Sequence, residues 1–160
     1  MPDSVPPVRY GTVSPEQTRA MSGVEFLQAV RDGRLPTAPI CRALDFALIE
    51  ADFGRVVFGG NPAEAHYNLM SQVHGGYIAT LLDSCLGSAV QSVLPAGKGY
   101  TSLEVKVNFV RGLTQQTGSV RAEGKVLSAG SRIATADGRL TDAAGKLLAH
   151  GTTTCLIFDI

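Results

Sequence analysis

The chain has 160 residues, enough for one domain with a sizeable core. Hydrophobic residues make up 44% and charged residues 18%, and 14 Lys and Arg balance 14 Asp and Glu. That balance, with no basic run, gives no electrostatic support to binding of nucleic acid or an anionic membrane, and no apolar run is long enough to span a bilayer.

In chain order, Cys41, Cys85 and Cys155 show no paired ligand spacing, and three scattered His argue against a metal site. The thiols read as reduced and structural, which suits a cytoplasmic protein. Met1-Pro2-Asp3-Ser4 has neither the basic flank nor the apolar stretch of a secretory leader. Residues 1–13 are Pro-rich and read as irregular. Ser14-Pro15-Glu16-Gln17 is a helix start, with Ser as N-cap, Pro at the first helical position and Gln at the capping-box position. The helix carries Met21, Val24, Leu27 and Val30 on one face and ends by Gly33, with a break plausible at Gly23. Residues 1–37 are thus an N-terminal extension with one helix, and residues 38–160 are the domain proper.

Residues 46–51 and 55–58 read as two strands turned by Gly54. Residues 61–74 form a loop holding His66, Tyr67 and Asn68, the first two read as loop packing. A long helix follows, then a turn at Pro95-Ala96-Gly97. Residues 101–110 alternate, with Leu103, Val105, Val107 and Phe109 on one face and Ser102, Glu104, Lys106 and Asn108 on the other. Three more strands follow at 118–127, 132–141 and 147–158. Two strands, a long helix and four strands pack naturally as an antiparallel sheet curled around one helix, an α+β arrangement.

The long helix is the centre of the sequence. Ile78, Leu81, Leu82, Cys85, Leu86, Ala89, Val90 and Val93 make its apolar stripe. The other side holds Thr80, Ser84, Gly87, Ser88 and Gln91, small and uncharged, so the helix reads as buried on most sides. Asp83 is its lone carboxylate, at the edge of the stripe. Such a group is expected to be desolvated, and perturbed carboxylates are catalytic candidates. Gly75 and Gly76 sit at the helix start, where N–H groups lack internal partners and glycine permits close approach of a ligand. That start can receive a developing oxyanion. Cys85 lies on the apolar stripe, so a cysteine nucleophile is set aside.

Asn68, six residues before His74, then Gly75-Gly76, then Asp83, resembles the hotdog-fold acyl-CoA thioesterases, within them the phenylacetyl-CoA thioesterase-like subgroup of the 4-hydroxybenzoyl-CoA thioesterase superfamily. That pattern is Asn, a short gap, His-Gly-Gly, and an acid about two helical turns on. The resemblance continues through T-S-L-E-V-K-V-N-F-V-R at 101–111 and G-K-L-L-A-H-G-T-T-T at 145–154. Gly112 stands where the family usually has Pro.

The resemblance implies a hotdog fold and hydrolysis of an acyl-CoA thioester, with CoA part of the substrate and no separate cofactor or metal. It assigns Asp83 as general base or nucleophile, Gly75 or Gly76 as carbonyl donor, and Asn68 and His74 to the same site. Thr101 or Ser102 matches a hydroxyl that orients water. Ser102, however, falls on the strand face opposite Leu103 and Val105, away from the helix. Arg111 is a candidate for a CoA phosphate, with an exposed strand-end charge the plainer reading. The resemblance also implies a homodimer or homotetramer with the site between subunits. A hotdog hydratase or dehydratase, and a non-catalytic acyl-CoA-binding protein, are the alternatives.

Overall fold

The computed structural model describes residues 8–160. Its helices are α1 (Pro15–Arg19), α2 (Gly23–Arg31), α3 (Pro39–Ala43) and α4 (Gly75–Ser92). Its strands are β1 (Phe46–Asp52), β2 (Arg55–Gly60), β3 (Lys98–Phe109), β4 (Val120–Ala129), β5 (Ile133–Asp142) and β6 (Leu147–Asp159). The strands form one sheet in the order β1-β2-β4-β5-β6-β3, every neighbouring pair antiparallel. α4 packs against all six, which is the sheet-around-helix arrangement the sequence implied. β3, twelve residues long, is an edge strand paired only with β6.

The core follows from the stripe on α4. Leu81, Leu82, Cys85, Leu86, Ala89 and Val90 are fully buried, and they meet Val56, Ala122, Ala136, Leu140, Ala149 and Cys155 from the sheet. The helix lies unusually close to β4. A Cβ built on Gly124 would sit 2.3 Å from the carbonyl oxygen of Cys85, so only glycine lets the α4 backbone rest there. Two further glycines set the hairpin and the turn: Gly54 at φ 79° and Gly97 at φ 81°.

The N-terminal extension departs from the single helix expected. Ser14 does cap α1, its Oγ accepting from the Gln17 N–H at 3.3 Å. The helix stops at Arg19 and restarts at Gly23, where Glu25 accepts from the Ser22 N–H at 2.9 Å. The reason is contact with α4. A Cβ on Gly23 would lie 1.6 Å from the Gln91 carbonyl oxygen, and the Gly23 N–H donates to the Leu94 carbonyl at 2.9 Å. Gly23 therefore opens a helix and anchors it to the domain. The irregular reading of residues 1–13 falls partly outside the described residues. Of the rest, Arg9 and Gly11 exchange backbone hydrogen bonds with Thr37 at 2.8 and 3.0 Å, so this stretch is tied down. α3, at 39–43, is a short helix where the sequence suggests only strands from residue 38 on. Pro39 at its first turn supplies the start.

Gly124→Ala tests the close approach. Its overpacking should cost about 3 kcal/mol, lowering the thermal midpoint by roughly 6–12 °C. A melting curve within about 2 °C of wild type would show that the helix shifts freely.

Candidate active site

The approach to α4 is a small closed loop. Tyr67 and Val73 pair as an antiparallel bridge. The Asn68 N–H donates to the Gln72 carbonyl at 2.7 Å, and the His74 N–H to the His66 carbonyl at 2.8 Å. Asn68 Oδ1 accepts from the N–H groups of Met70 and Gln72 at 2.8 and 3.2 Å. The Asn68 carbonyl thus holds the loop, and its amide NH2 is the group left to face a ligand. His66 and Tyr67 pack, as expected. The His66 ring stacks on Tyr77 with centroids 4.4 Å apart, and the Tyr67 hydroxyl accepts from the Gln115 N–H at 2.9 Å.

His74 is the N-cap of α4. Its Nδ1 accepts from the Gly76 N–H at 2.8 Å, which leaves the ring proton on Nε2. This distinguishes two glycines that the sequence left equivalent. The Gly76 N–H is engaged by the cap. The Gly75 N–H has no partner among the described residues, and Gly75 lines a cavity of about 260 Å³ with Gln72, Phe109 and Arg111. The free donor at the helix start is therefore Gly75. The exposed Arg111 does share its cavity.

Asp83 lies two helical turns further on. It is exposed in the single chain, which corrects the expected desolvation. α4 is buried along its stripe and around its C-terminal half, but the flank carrying Gly76, Ala79, Thr80, Asp83 and Ser84 is open or half-open. Asp83 Oδ1 accepts a hydrogen bond from Ser102 Oγ at 3.0 Å.

That contact corrects the face reading of β3. Against β6, Ser102 pairs with Cys155 and Glu104 with Thr154, so Leu103 is an extra residue in a β-bulge. A bulge shifts the alternation by one position. Before it, Tyr100 and Ser102 face the helix; after it, Val105 and Val107 do. Leu103 is thrown outward, 56% exposed. Of the two hydroxyls, Ser102 is the one at Asp83, and Thr101 points away and is exposed.

Tyr100 was missed for the same reason. A Cβ on Gly87, one turn beyond Asp83, would lie 2.7 Å from its hydroxyl, so a small residue on α4 admits the ring. Burial and the nearby Asp83 carboxylate push the Tyr100 phenol upward. Phe109, whose ring packs against Gly75, was also missed. All three cysteines are buried and free. Burial raises the Cys85 thiol to about 12, and its Sγ–H donates to the Leu82 carbonyl at 3.2 Å, so it is not a nucleophile at neutral pH. Among the described residues no His, Cys, Asp and Glu side chains cluster as a metal-ligand set.

Gly75 and Asp83 do not meet within one chain. Eight residues of helix separate them by about 12 Å along the axis. A carbonyl held by the Gly75 N–H is beyond reach of the same chain's carboxylate.

A family model for the thioesterase superfamily matches residues 70–149. No curated protein matches the chain significantly. Among solved structures, the phenylacetic acid degradation-related protein of Ralstonia eutropha JMP134 is 23% identical, with 82% of this chain and 98% of that one covered and a TM-score of 0.74. A conserved protein of Pseudomonas aeruginosa is 24% identical, with 76% and 95% covered and a TM-score of 0.71. A hypothetical thioesterase of Streptococcus pneumoniae TIGR4, solved with coenzyme A, is 21% identical, with 71% and 86% covered and a TM-score of 0.64. At these identities the likeness shows the fold.

His74→Ala removes the cap and should cost about 1 kcal/mol, or roughly 2–4 °C in midpoint. His74→Asn, a strong N-cap residue, should recover most of it. Equal midpoints for His74→Ala and wild type would show that the Nδ1 contact stabilises nothing.

Proposed function

The chain belongs to the thioesterase superfamily, and on that premise we propose that it is an acyl-CoA thioesterase whose base is Asp83. The observation that carries this reading is the Ser102–Asp83 hydrogen bond of 3.0 Å on the open flank of an otherwise uncharged helix. The bond holds the one carboxylate of α4 beside the edge strand, where a substrate can enter. The solved relatives of Streptococcus that hold coenzyme A and acetyl-CoA support a CoA thioester as substrate.

A water that donates to Asp83, with the Ser102 Oγ able to accept a hydrogen bond from its second proton, gives its first proton to the carboxylate and attacks the carbonyl carbon. The negative charge gathers on the former carbonyl oxygen, where the Gly75 N–H at the positive end of the helix dipole stabilises it. The C–S bond then breaks, and the CoA thiolate takes the proton that Asp83 held. Direct attack by Asp83 would instead form an anhydride that water later opens. The Asn68 NH2 can add a second donor at the carbonyl.

The 12 Å separation makes this chemistry the work of two subunits. β3 offers twelve residues of unpaired edge, and Leu103 and Phe109 on it and Val110 just beyond it are exposed. A long apolar edge of this kind calls for a partner strand. Two-fold pairing through β3 sets the two α4 helices antiparallel, so Asp83 of one chain faces Gly75 of the partner subunit. The assembly is a homodimer, or a homotetramer built from it.

Asp83→Asn should keep its melting midpoint and lose about 10²–10⁴-fold in kcat on a good acyl-CoA, with KM little changed. A folded variant with more than about a third of wild-type kcat would remove Asp83 from the role of base. Binding of acyl-CoA without release of CoA by the wild type would point instead to a non-catalytic carrier.

Gly75→Pro removes the carbonyl donor, since proline suits the first position of a helix and lacks the N–H. Its ring also presses on Phe109, 3.2 Å from a Cβ built there, so it is compared with Gly75→Ala, which keeps the N–H and makes the same contact. By itself Gly75→Pro should lose about 10²–10³-fold in kcat. Co-expressed with Asp83→Asn, it should regain roughly a quarter of wild-type activity, since each mixed dimer holds one intact site and one doubly damaged. No recovery in a mixture shown by native mass spectrometry to contain mixed dimers would place the whole site in one chain.

A further inference from the structure

A second cavity lies between the N-terminal extension and the domain, and no part of its wall comes from β3. It measures about 360 Å³, within the roughly 300–1,000 Å³ of ligand pockets. Val13, Phe26 and Val30 form its outer wall, and Leu48 and Phe58 its inner one. Among the described residues, none that lines it is charged.

Two polar side chains of α4 complete the wall. Ser88 is only 8% exposed, and Gln91 stands one turn beyond it. Thr80 and Ser92 of the same helix donate to backbone carbonyls at 2.8 and 2.6 Å. The Ser88 hydroxyl and the Gln91 carboxamide have no hydrogen-bond partner among the described residues. The Ser88 hydroxyl keeps its hydrogen-bonding capacity free. Here it stands on the wall of an apolar space of ligand size.

We propose that this cavity binds the hydrocarbon chain of an acyl group or fatty acid, with Ser88 and Gln91 meeting the one polar atom that enters with it. The absence of any cationic wall residue excludes an ionised head, because a carboxylate or phosphate would lose its hydration without gaining a partner. The head stays outside and the chain goes in. The chain has two possible sources, the acyl tail of the substrate or a separate fatty acid, and only the first rests on the thioesterase reading.

The test fills the cavity from the half-buried α2 wall with Val30→Trp. It measures calorimetric binding of decanoate, and kcat/KM on acetyl-, octanoyl-, dodecanoyl- and palmitoyl-CoA. The wild type should bind decanoate, and the variant should bind it at least about tenfold more weakly. A tenfold fall in kcat/KM on the longer acyl-CoAs, with acetyl-CoA unchanged, identifies the substrate tail as the occupant. Weakened decanoate binding with an unchanged chain-length profile identifies a separate fatty acid. Wild type that does not bind decanoate, together with a variant whose chain-length profile superposes on wild type, overturns the proposal. Should Val30→Trp lose its melting transition, Thr12→Trp at the exposed mouth of the cavity serves in its place. If no acyl-CoA is hydrolysed at all, the enzyme reading fails, and decanoate binding still decides the cavity.

Discussion

Everything in this molecule is fitted around the burial of α4. A helix that meets all six strands of a sheet can carry charge on only a narrow flank, because an ionised side chain on any other face would lose its hydration without compensation. The composition of α4 follows. Eleven of its residues are buried, and they are apolar, small or hydroxyl-bearing. The approach to β4 is so close that the sheet must carry glycine at 124. One carboxylate survives on the helix, and it sits on the open flank. The stripe and the enclosed C-terminal half thus anchor the fold, and the open flank of the N-terminal half carries the proposed base.

The bulge at Leu103 joins that helix to its hydrogen-bond partner Ser102. In a regular strand, Ser102 would share a face with Glu104 and Lys106 and point away from α4. One inserted residue reverses this for Tyr100 and Ser102 while leaving Val105 and Val107 on the core. The same insertion pushes Leu103 out to the edge that lacks a neighbour. A single irregularity therefore delivers a hydroxyl to Asp83 and an apolar side chain to the outer surface.

These features differ in how far the sequence reveals them. The order of strands and the long helix were legible because burial on one side of a strand or helix leaves a period of two or of 3.6 residues. The turns at Gly54 and Gly97 were legible because positive φ selects glycine. The resemblance brought Asn68, His74, the glycines and Asp83 into one group, and their order along the chain is consistent with the loop and helix start observed. What periodicity could not show was Leu103, since a bulge has no residue signature of its own and inverts every face assignment before it. Nor could it show that His74 would engage the Gly76 N–H, which depends on a side-chain rotamer. Gly23 marked the break near residues 20–22, but its cause was hidden, because it is the Gln91 carbonyl, 68 residues further on than Gly23.

The exposure of Asp83 and the free edge of β3 are one problem rather than two. Both lie on the same side of the chain, linked by the Ser102 hydrogen bond. An isolated chain leaves the backbone N–H and C=O groups of that edge to water and its carboxylate hydrated, a poor setting for a developing charge. Pairing β3 with a second copy would satisfy the edge, cover Leu103 and Phe109, and exclude water from the flank of α4 in one step. It would also bring a second helix start within reach, which the length of α4 forbids within one chain. On the proposed reading the active site would not merely sit near an interface: association would supply both the missing donor and the dry environment that makes the donor effective.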